Sequence, residues 1–328
     1  MSVYEKISGF ADEISQDFDQ QLKTVTDLGM KYICIRSVEH KGIADYTPEE
    51  VRTVLLPKLQ AAGVGVSSLG TAIGKVEVDD EEGFAKQLEQ LETLCETAKL
   101  LNCSFIRMFS FLIPKDADAD SYTDVVLDKL RQFIRIAEKH DVVLLHENEK
   151  GIYGDTGARC KLLFDRLACP HFKAAFDFAN FVQCEQDTAE CWELLHDQIA
   201  YIHIKDALPG CLLNVPAGTG LGKIPELLRR AFCEEGYHGF LTLEPHLAMF
   251  DFFAPGAKGG ESQKLQFENN PIVEKMKSEM AEPGRPKDGA EAYATQYHAL
   301  VEILNPIDRK STRLNSSHEW ISRMPSSA

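Results

Sequence analysis

The 328-residue sequence predicts an α/β protein folded as a single (β/α)8 TIM barrel domain. Three observations lead there. The apolar period switches regularly between 2 and 3.6 from residue 7 to residue 304, giving eight strand signatures that alternate with eight helix signatures. The first strand runs into "ADEISQD", without the glycine-rich phosphate turn that a doubly wound open sheet would place there. The last four strands each end in polar residues, where a barrel concentrates its chemistry.

In order, strand one is expected at 7–13 and is followed by a helix at 18–28, closed by Gly29 in "DLG". Strand two, 32–38, precedes a helix at 48–62 that opens on "TPEE", an N-cap followed by Pro at the first helical position, and closes on "AAG". Strand three, 64–69, leads to a helix at 81–101 whose "LEQLETLCETAKLL" repeats apolar residues every three or four positions. Strand four, 104–111, precedes the helix 121–140, with the same period in "VVLDKLRQFIRIAEKH". Strands five, six, seven and eight follow at 142–148, 172–178, 200–206 and 239–245, with helices at 157–167, 188–198, 224–235 and 291–304. Between the last strand and the last helix, 248–287 is a long irregular insertion rich in Gly, Pro and Lys. Following strand eight, it belongs on the catalytic face, as a lid or as an arm through which a homo-oligomer or a partner subunit could be joined.

The composition is 44% hydrophobic and 26% charged. No apolar run approaches the ~20 residues of a membrane span, and "MSVYEKISGFADEI" has no secretory pattern. Nine cysteines, an odd number without a C-x-x-C pair, fit a reducing cytoplasm better than a disulfide framework. A net charge of −16 argues against nucleic-acid partners and anionic membrane surfaces. The segment 309–328 departs from the rest, with four basic residues, one acidic residue and many serines. It shows neither helical nor strand period and resembles a sequencing-adapter translation, so it is set outside the domain as a disordered tail.

Strand seven, "YIHIKDA", places Tyr201, His203 and Lys205 on one face and Ile202 and Ile204 on the other. Burying an imidazole there costs several kcal/mol unless something pairs with it. At the same depth, strands five, six and eight present Glu147, Asp177 and Glu244. Three carboxylates so close repel one another unless a cation sits among them. One divalent metal resolves both problems, and three carboxylates plus one imidazole suit Mn2+ first, with Mg2+, Co2+ or Zn2+ as alternatives. Hydrogen-bonded core residues are the plain alternative.

Other polar residues have two readings each. Arg107, inside strand four, either contacts substrate or pairs with a ligand carboxylate. Lys205 could hold a substrate oxygen or phosphate, or snorkel at the rim. "PAGTGLGK", after strand seven, could wrap an anion with backbone N–H groups, and Lys75 in "GTAIGK" is a candidate phosphate contact. His146 alternates with Glu147 and should face the helices, unless the strand ends at 147 and frees it to touch substrate. His246 lines the mouth or lies in an exposed loop.

The chain resembles the sugar phosphate isomerase/epimerase family of xylose isomerase-like TIM barrels over about residues 5–305. The resemblance is carried by "GFADEI", "SSLGTAIGK", "IRMFSF", "LLHENEKGIYGDT", "FDFANF", "YIHIKDA", "PAGTGLGKIPELL" and "GFLTLEPH". It implies metal ligands at Glu147, Asp177, His203 and Glu244, the set that depth also selects. Many relatives carry a His three residues after the Asp ligand, where this chain has Asn180; the substrate-hydroxyl contact of that His is then lost or made by an amide.

The expected function is a divalent-metal-dependent isomerase or epimerase of a sugar or sugar phosphate, working by proton transfer through a metal-stabilised enediolate. Glu147 and Glu244, three strands apart, form the acid/base pair. The alternative is a metal-dependent lyase or dehydratase on a keto-sugar or inosose, including the catalytic subunit of a C-glycoside-cleaving enzyme. An abasic-site endonuclease is remote, because it needs histidines where strands two and three carry Cys34, Arg36, Ser67 and Ser68. A non-catalytic barrel subunit is opposed by the intact four-ligand set.

Overall fold

The computed structural model describes residues 3–211, 213–248, 275, 278–279, 281 and 283–322, with backbone alone from 309 onward. Eight parallel strands form one sheet: β1 Ile7–Gly9, β2 Tyr32–Ile35, β3 Gly65–Ile73, β4 Phe105–Met108, β5 Val143–Glu147, β6 Phe172–Asp177, β7 Ile199–Ile204 and β8 Phe240–Leu243. Each pairs with its sequence neighbours, β1 pairs with β8, and a parallel bridge from Phe10 to Cys34 closes the ring between β1 and β2. The (β/α)8 barrel expected from the sequence is the fold observed.

Around the strands run α1 Phe18–Asp27, a continuous helical stretch over 48–62, α2 Glu81–Leu100, α3 Thr123–His140, α4 Gly157–Arg166, α5 Phe178–Gln183, α6 Thr188–Leu195, α7 Ile224–Cys233 and α8 Gly289–Ser322. Local sequence accounts for their ends. Thr47 and Glu50 form a reciprocal capping box before Pro48, and Gly63 ends that stretch at φ 66°, a left-handed conformation that costs glycine little. The apolar faces of these helices pack on the outer sheet face in one continuous core.

Three elements differ from expectation for tertiary reasons. β1 stops at Gly9, where a Cβ would stand 2.0 Å from the Tyr293 hydroxyl of α8, and Asp12 and Glu13 then turn in to meet Arg36. β3 runs on to Ile73 through a register shift against β4. The last helix continues to Ser322, so 309–322, set apart above as a tail without period, is helical backbone. Most of the insertion at 248–287 lies outside the described residues; Glu279 within it accepts a hydrogen bond from Leu213 N at 2.7 Å.

Inside the barrel, one layer towards the strand N-termini from His203, the Tyr201 hydroxyl bonds Ser67 at 2.8 Å and Ser68 at 3.0 Å. Ser67 reaches Ser8 at 2.6 Å, and Ser68 reaches Cys34 at 3.1 Å. This satisfied polar layer is the floor beneath the strand ends. The nine cysteines are all free.

Candidate metal centre

Four adjacent strands deliver Glu147, Asp177, His203 and Glu244 to one point, each almost wholly buried. One ligand atom from each lies within 4.8 Å of the others. His203 Nδ1 is 3.0 Å from Glu147 Oε1, 3.6 Å from Glu244 Oε2 and 3.7 Å from Asp177 Oδ2. Donors bound about 2.1 Å from a common ion stand roughly 3.0–4.2 Å apart, so this spacing fits a shared divalent cation.

Charge supports the same fit. Asp12, Glu13, Glu147, Asp177 and Glu244 are buried carboxylates, and the permanent cations among them are Arg36, Arg107 and Lys205. Five against three leaves two negative charges, the charge of one divalent ion beside neutral histidines. Asp177 Oδ2 lies 2.9 Å from Lys205 Nζ, yet no donor is aligned to hydrogen-bond it. A buried carboxylate oxygen left so is an open ligand position.

The titration of the cluster follows from its neighbours. Burial pushes Glu147 up, but His203 and Arg107 overcome this and hold it down at about 2. Burial also opposes the charge on Glu244, which Lys205, His246, His203 and Arg36 keep well below the carboxylate range. Asp177 is raised, because burial outweighs Lys205. Burial works against a charged His203, but Glu147, Asp177 and Glu244 raise it to about 9. A divalent ion held by these four residues would supply that countercharge and would need the imidazole without its extra proton.

Neighbouring side chains hold these four residues in place. Arg107 Nη1 donates to Glu147 Oε2 at 3.0 Å, while its Nε and Nη2 bond the Thr71 and Gly70 carbonyls at 3.2 and 3.4 Å. Of its two readings, the structure shows the pairing with a carboxylate, that of Glu147. Arg36 does the same for Glu244, with Nη1 3.0 Å from Oε1, and also grips Asp12 at 2.7 Å and Glu13 at 3.4 Å. Both guanidiniums lie 4.8 Å from the Phe10 ring centre, one of them the partner of each glutamate, and Phe10 meets His203 edge-on at 5.2 Å.

Several residues expected to meet substrate have protein partners in this structure. The Lys205 ammonium lies 2.9 Å from Asp177 Oδ2 and 3.0 Å from Glu244 Oε2. Asn180 is held by protein partners: its backbone N–H donates to the N-cap carboxylate of Asp177 at 2.8 Å, and its side-chain amide donates to the Asn148 carbonyl at 2.9 Å and Glu147 at 3.3 Å. His146 faces the helix layer, with Nε2 2.9 Å from Ser110 and its ring 5.9 Å from Phe164 and Phe172.

The glycine loop is no anion cradle. The N–H groups of Gly218, Gly220 and Gly222 all point at the carboxylate of Asp206, at 2.8–2.9 Å, as does that of Ala207 at 3.0 Å. Lys75 lies at the rim, 2.9 Å from Glu149 and over the Phe109 ring at 4.8 Å. His246 lines the mouth, 3.2 Å from Glu13 and 3.6 Å from Glu244.

Sequence reasoning missed Asp12, Glu13 and Phe10 as parts of the site, and the structural role of Asn148, whose side chain exchanges two 2.9 Å bonds with the Asp177 backbone. The acidic pair directly after strand one, opposite an arginine in strand two, was the available signal.

Solved structures with this architecture include the IolI protein with a bound zinc atom, matched at TM-score 0.67 and 15% identity over 92% of this chain and 99% of that one. A D-allulose 3-epimerase from Methylomonas sp. matches at TM-score 0.64 and 15% identity, covering 91% and 97%. The probable 3-DHS dehydratase AsbF from Bacillus anthracis matches at TM-score 0.60 and 15% identity, covering 81% and 99%. These likenesses show the fold. A search of curated proteins gives no match. The sequence profile of one family spans residues 22–262, most of the chain, and the chain belongs to that family, the xylose isomerase-like TIM barrels.

Proposed function

We propose that this protein is a divalent-metal-dependent isomerase or epimerase acting on a small carbohydrate by moving a proton at a carbon beside a carbonyl. The convergence of Glu147, Asp177, His203 and Glu244 within 4.8 Å at four adjacent strand ends carries this reading. A divalent ion held there supplies a Lewis acid that polarises a substrate carbonyl and acidifies the neighbouring C–H. Mn2+ is the proposed ion for this oxygen-rich donor set, with the zinc of the IolI structure as the precedent for an alternative.

The chain's own residues then handle the proton. Glu147 Oε1 and Glu244 Oε2 face His203, and the second oxygen of each rests on a guanidinium. A carboxylate oxygen has two lone pairs, so each outer oxygen keeps one for a carbon-bound proton. Both glutamates are held ionised by their cations, so each starts a turnover as an acceptor. Three strands apart, they address the substrate from different sides: one takes the proton from carbon, and the other delivers to the opposite face or the neighbouring carbon a proton that it has first taken from water, while the first gives its own back to solvent. With the loop N–H groups occupied by Asp206, a neutral carbohydrate suits the site better than a phosphate ester.

The test is a panel of ketoses, sugar phosphates and inososes, incubated in D2O with the Mn2+-loaded protein and read by NMR. Deuterium incorporation at one carbon of a neutral sugar, with an epimer or isomer appearing, is expected. Loss of water with a deoxy product would move the protein to the lyase class, whose neighbour here is the dehydratase. No exchange with any member of the panel, with the metal bound, would defeat the reading.

A further inference from the structure

We infer that Arg36 is the built-in second cation of this centre, and that its guanidinium keeps the site to one metal ion. The inference rests on the metal-binding reading above and extends it to the number of ions. Glu244 presents its two oxygens to different groups. Oε2 faces His203 and Lys205, while Oε1 faces away, towards Glu13 and His246.

Glu13, Glu244 and His246 form a second set of donors within 4.8 Å of one another, sharing Glu244 with the first. His246 Nε2 stands 3.2 Å from Glu13 Oε1 and 3.6 Å from Glu244 Oε1. The backbone helps to hold the set: His246 N donates to Glu13 Oε2 at 2.8 Å, and His246 itself is held at φ 46°. The two carboxylates are buried, and the histidine is partly open at the mouth.

Two oxygens of that set are already taken by a positive charge. Arg36 Nη1 lies 3.0 Å from Glu244 Oε1 and Nη2 lies 3.4 Å from Glu13 Oε1, while Nε binds Asp12 at 2.7 Å. One planar guanidinium thus spans the oxygens on which a second ion would have to sit. A guanidinium keeps its proton at any ordinary pH, so this charge is permanent. Without Arg36 the buried cluster would carry three uncompensated negative charges instead of two, more than one divalent ion neutralises. Arg36 is therefore a specificity residue for metal number: it converts a pair of ligand sets joined through Glu244 into a mononuclear centre.

The experiment counts ions on the metal-stripped full chain, by calorimetric titration with Mn2+ and by elemental analysis after desalting. Wild type is expected to bind one ion and Arg36→Gln two, the second at least tenfold more weakly because it has three protein donors rather than four. Adding Glu13→Gln to Arg36→Gln should return the count to one. Arg36→Gln holding a single ion, or wild type holding two, would overturn the inference while leaving the metal reading intact. Wild type holding none would overturn that reading and this inference with it. Should Arg36→Gln fail to fold for want of a partner for Asp12, the pair Asp12→Asn/Arg36→Gln removes that charge and keeps all three donors in place for the same count.

Discussion

At the scale of single residues, Glu147 and Glu244 combine two demands on one side chain. One oxygen of each faces His203, and the other sits on a guanidinium. Replacing either with Gln keeps an oxygen for a metal but cannot accept a proton. Each variant is expected to lose 10²–10⁴-fold in turnover on the substrate that the exchange panel identifies, a range typical of lost general acid–base catalysis. Metal binding by calorimetry should survive, weakened. Near wild-type turnover in a metal-loaded Gln variant would reduce that glutamate to a ligand. His146 shows the opposite outcome for a buried titratable group. Burial lowers it from the usual 6.5 to about 4, against a smaller opposing pull from Glu147. Between those values the unfolded chain binds the extra proton, so stability falls as pH drops from about 6.5 towards 4. Full development of that shift corresponds to ~3 kcal/mol. His146→Gln, whose amide can still hydrogen-bond Ser110, should remove this part of the acid loss, seen as a flatter urea-unfolding stability between those pH values.

At the scale of elements, the loop after β7 is organised by one carboxylate. Asp206 follows the strand that ends at Ile204 and gathers four backbone N–H groups, two on each oxygen. Gly220 and Gly222 are required by this approach, since a Cβ would come within 2.3 and 2.8 Å of its Oδ1. In Asp206→Asn an NH2 would confront two of those N–H groups. Each orphaned donor costs roughly 1–3 kcal/mol, so the variant should lose at least ~2 kcal/mol and expose the amides of Gly218 and Gly220 to rapid hydrogen exchange. Retained protection at both positions would show that the loop stands without its anchor. The periodicity of "PAGTGLGK" revealed a loop and its glycines, but the donor groups it supplies are backbone atoms, and no residue pattern states which anion they meet.

At the scale of the whole molecule, the ring closes through α8 as well as through the sheet. Tyr293 abuts Gly9, Gln296 donates to the Ile204 carbonyl at 2.9 Å and accepts from Ala217 N, and Leu300, Leu304 and Ile307 are buried. Asp308 accepts from Val3 N at 3.3 Å, tying α8 to the segment that precedes β1. A chain ending at Asp308 keeps all of these contacts. It is expected to melt within about 2 °C of the full chain by calorimetry, whereas a cut before Leu300 should cost far more. A drop of several degrees on removing 309–328 would mean that the helical extension packs.

Period, caps and strand-end polarity determined the barrel, because they are local: a residue's side of a strand or helix is set by neighbours two or four positions away. The convergence of Glu147, Asp177, His203 and Glu244 was legible for the same reason, since strands of one barrel end at one level and the depth of each residue can be counted along its strand. What only the tertiary structure decided is which charges face one another. Arg36 and Arg107 could have met substrate, solvent or ligands, and Lys205 could have pointed to a phosphate. Their long side chains cross between strands, and their partners, Glu244, Glu147 and Asp177, lie 208, 40 and 28 positions away in the chain. Coulomb attraction inside a buried ring selects those partners by distance in space, and sequence spacing carries no record of that distance.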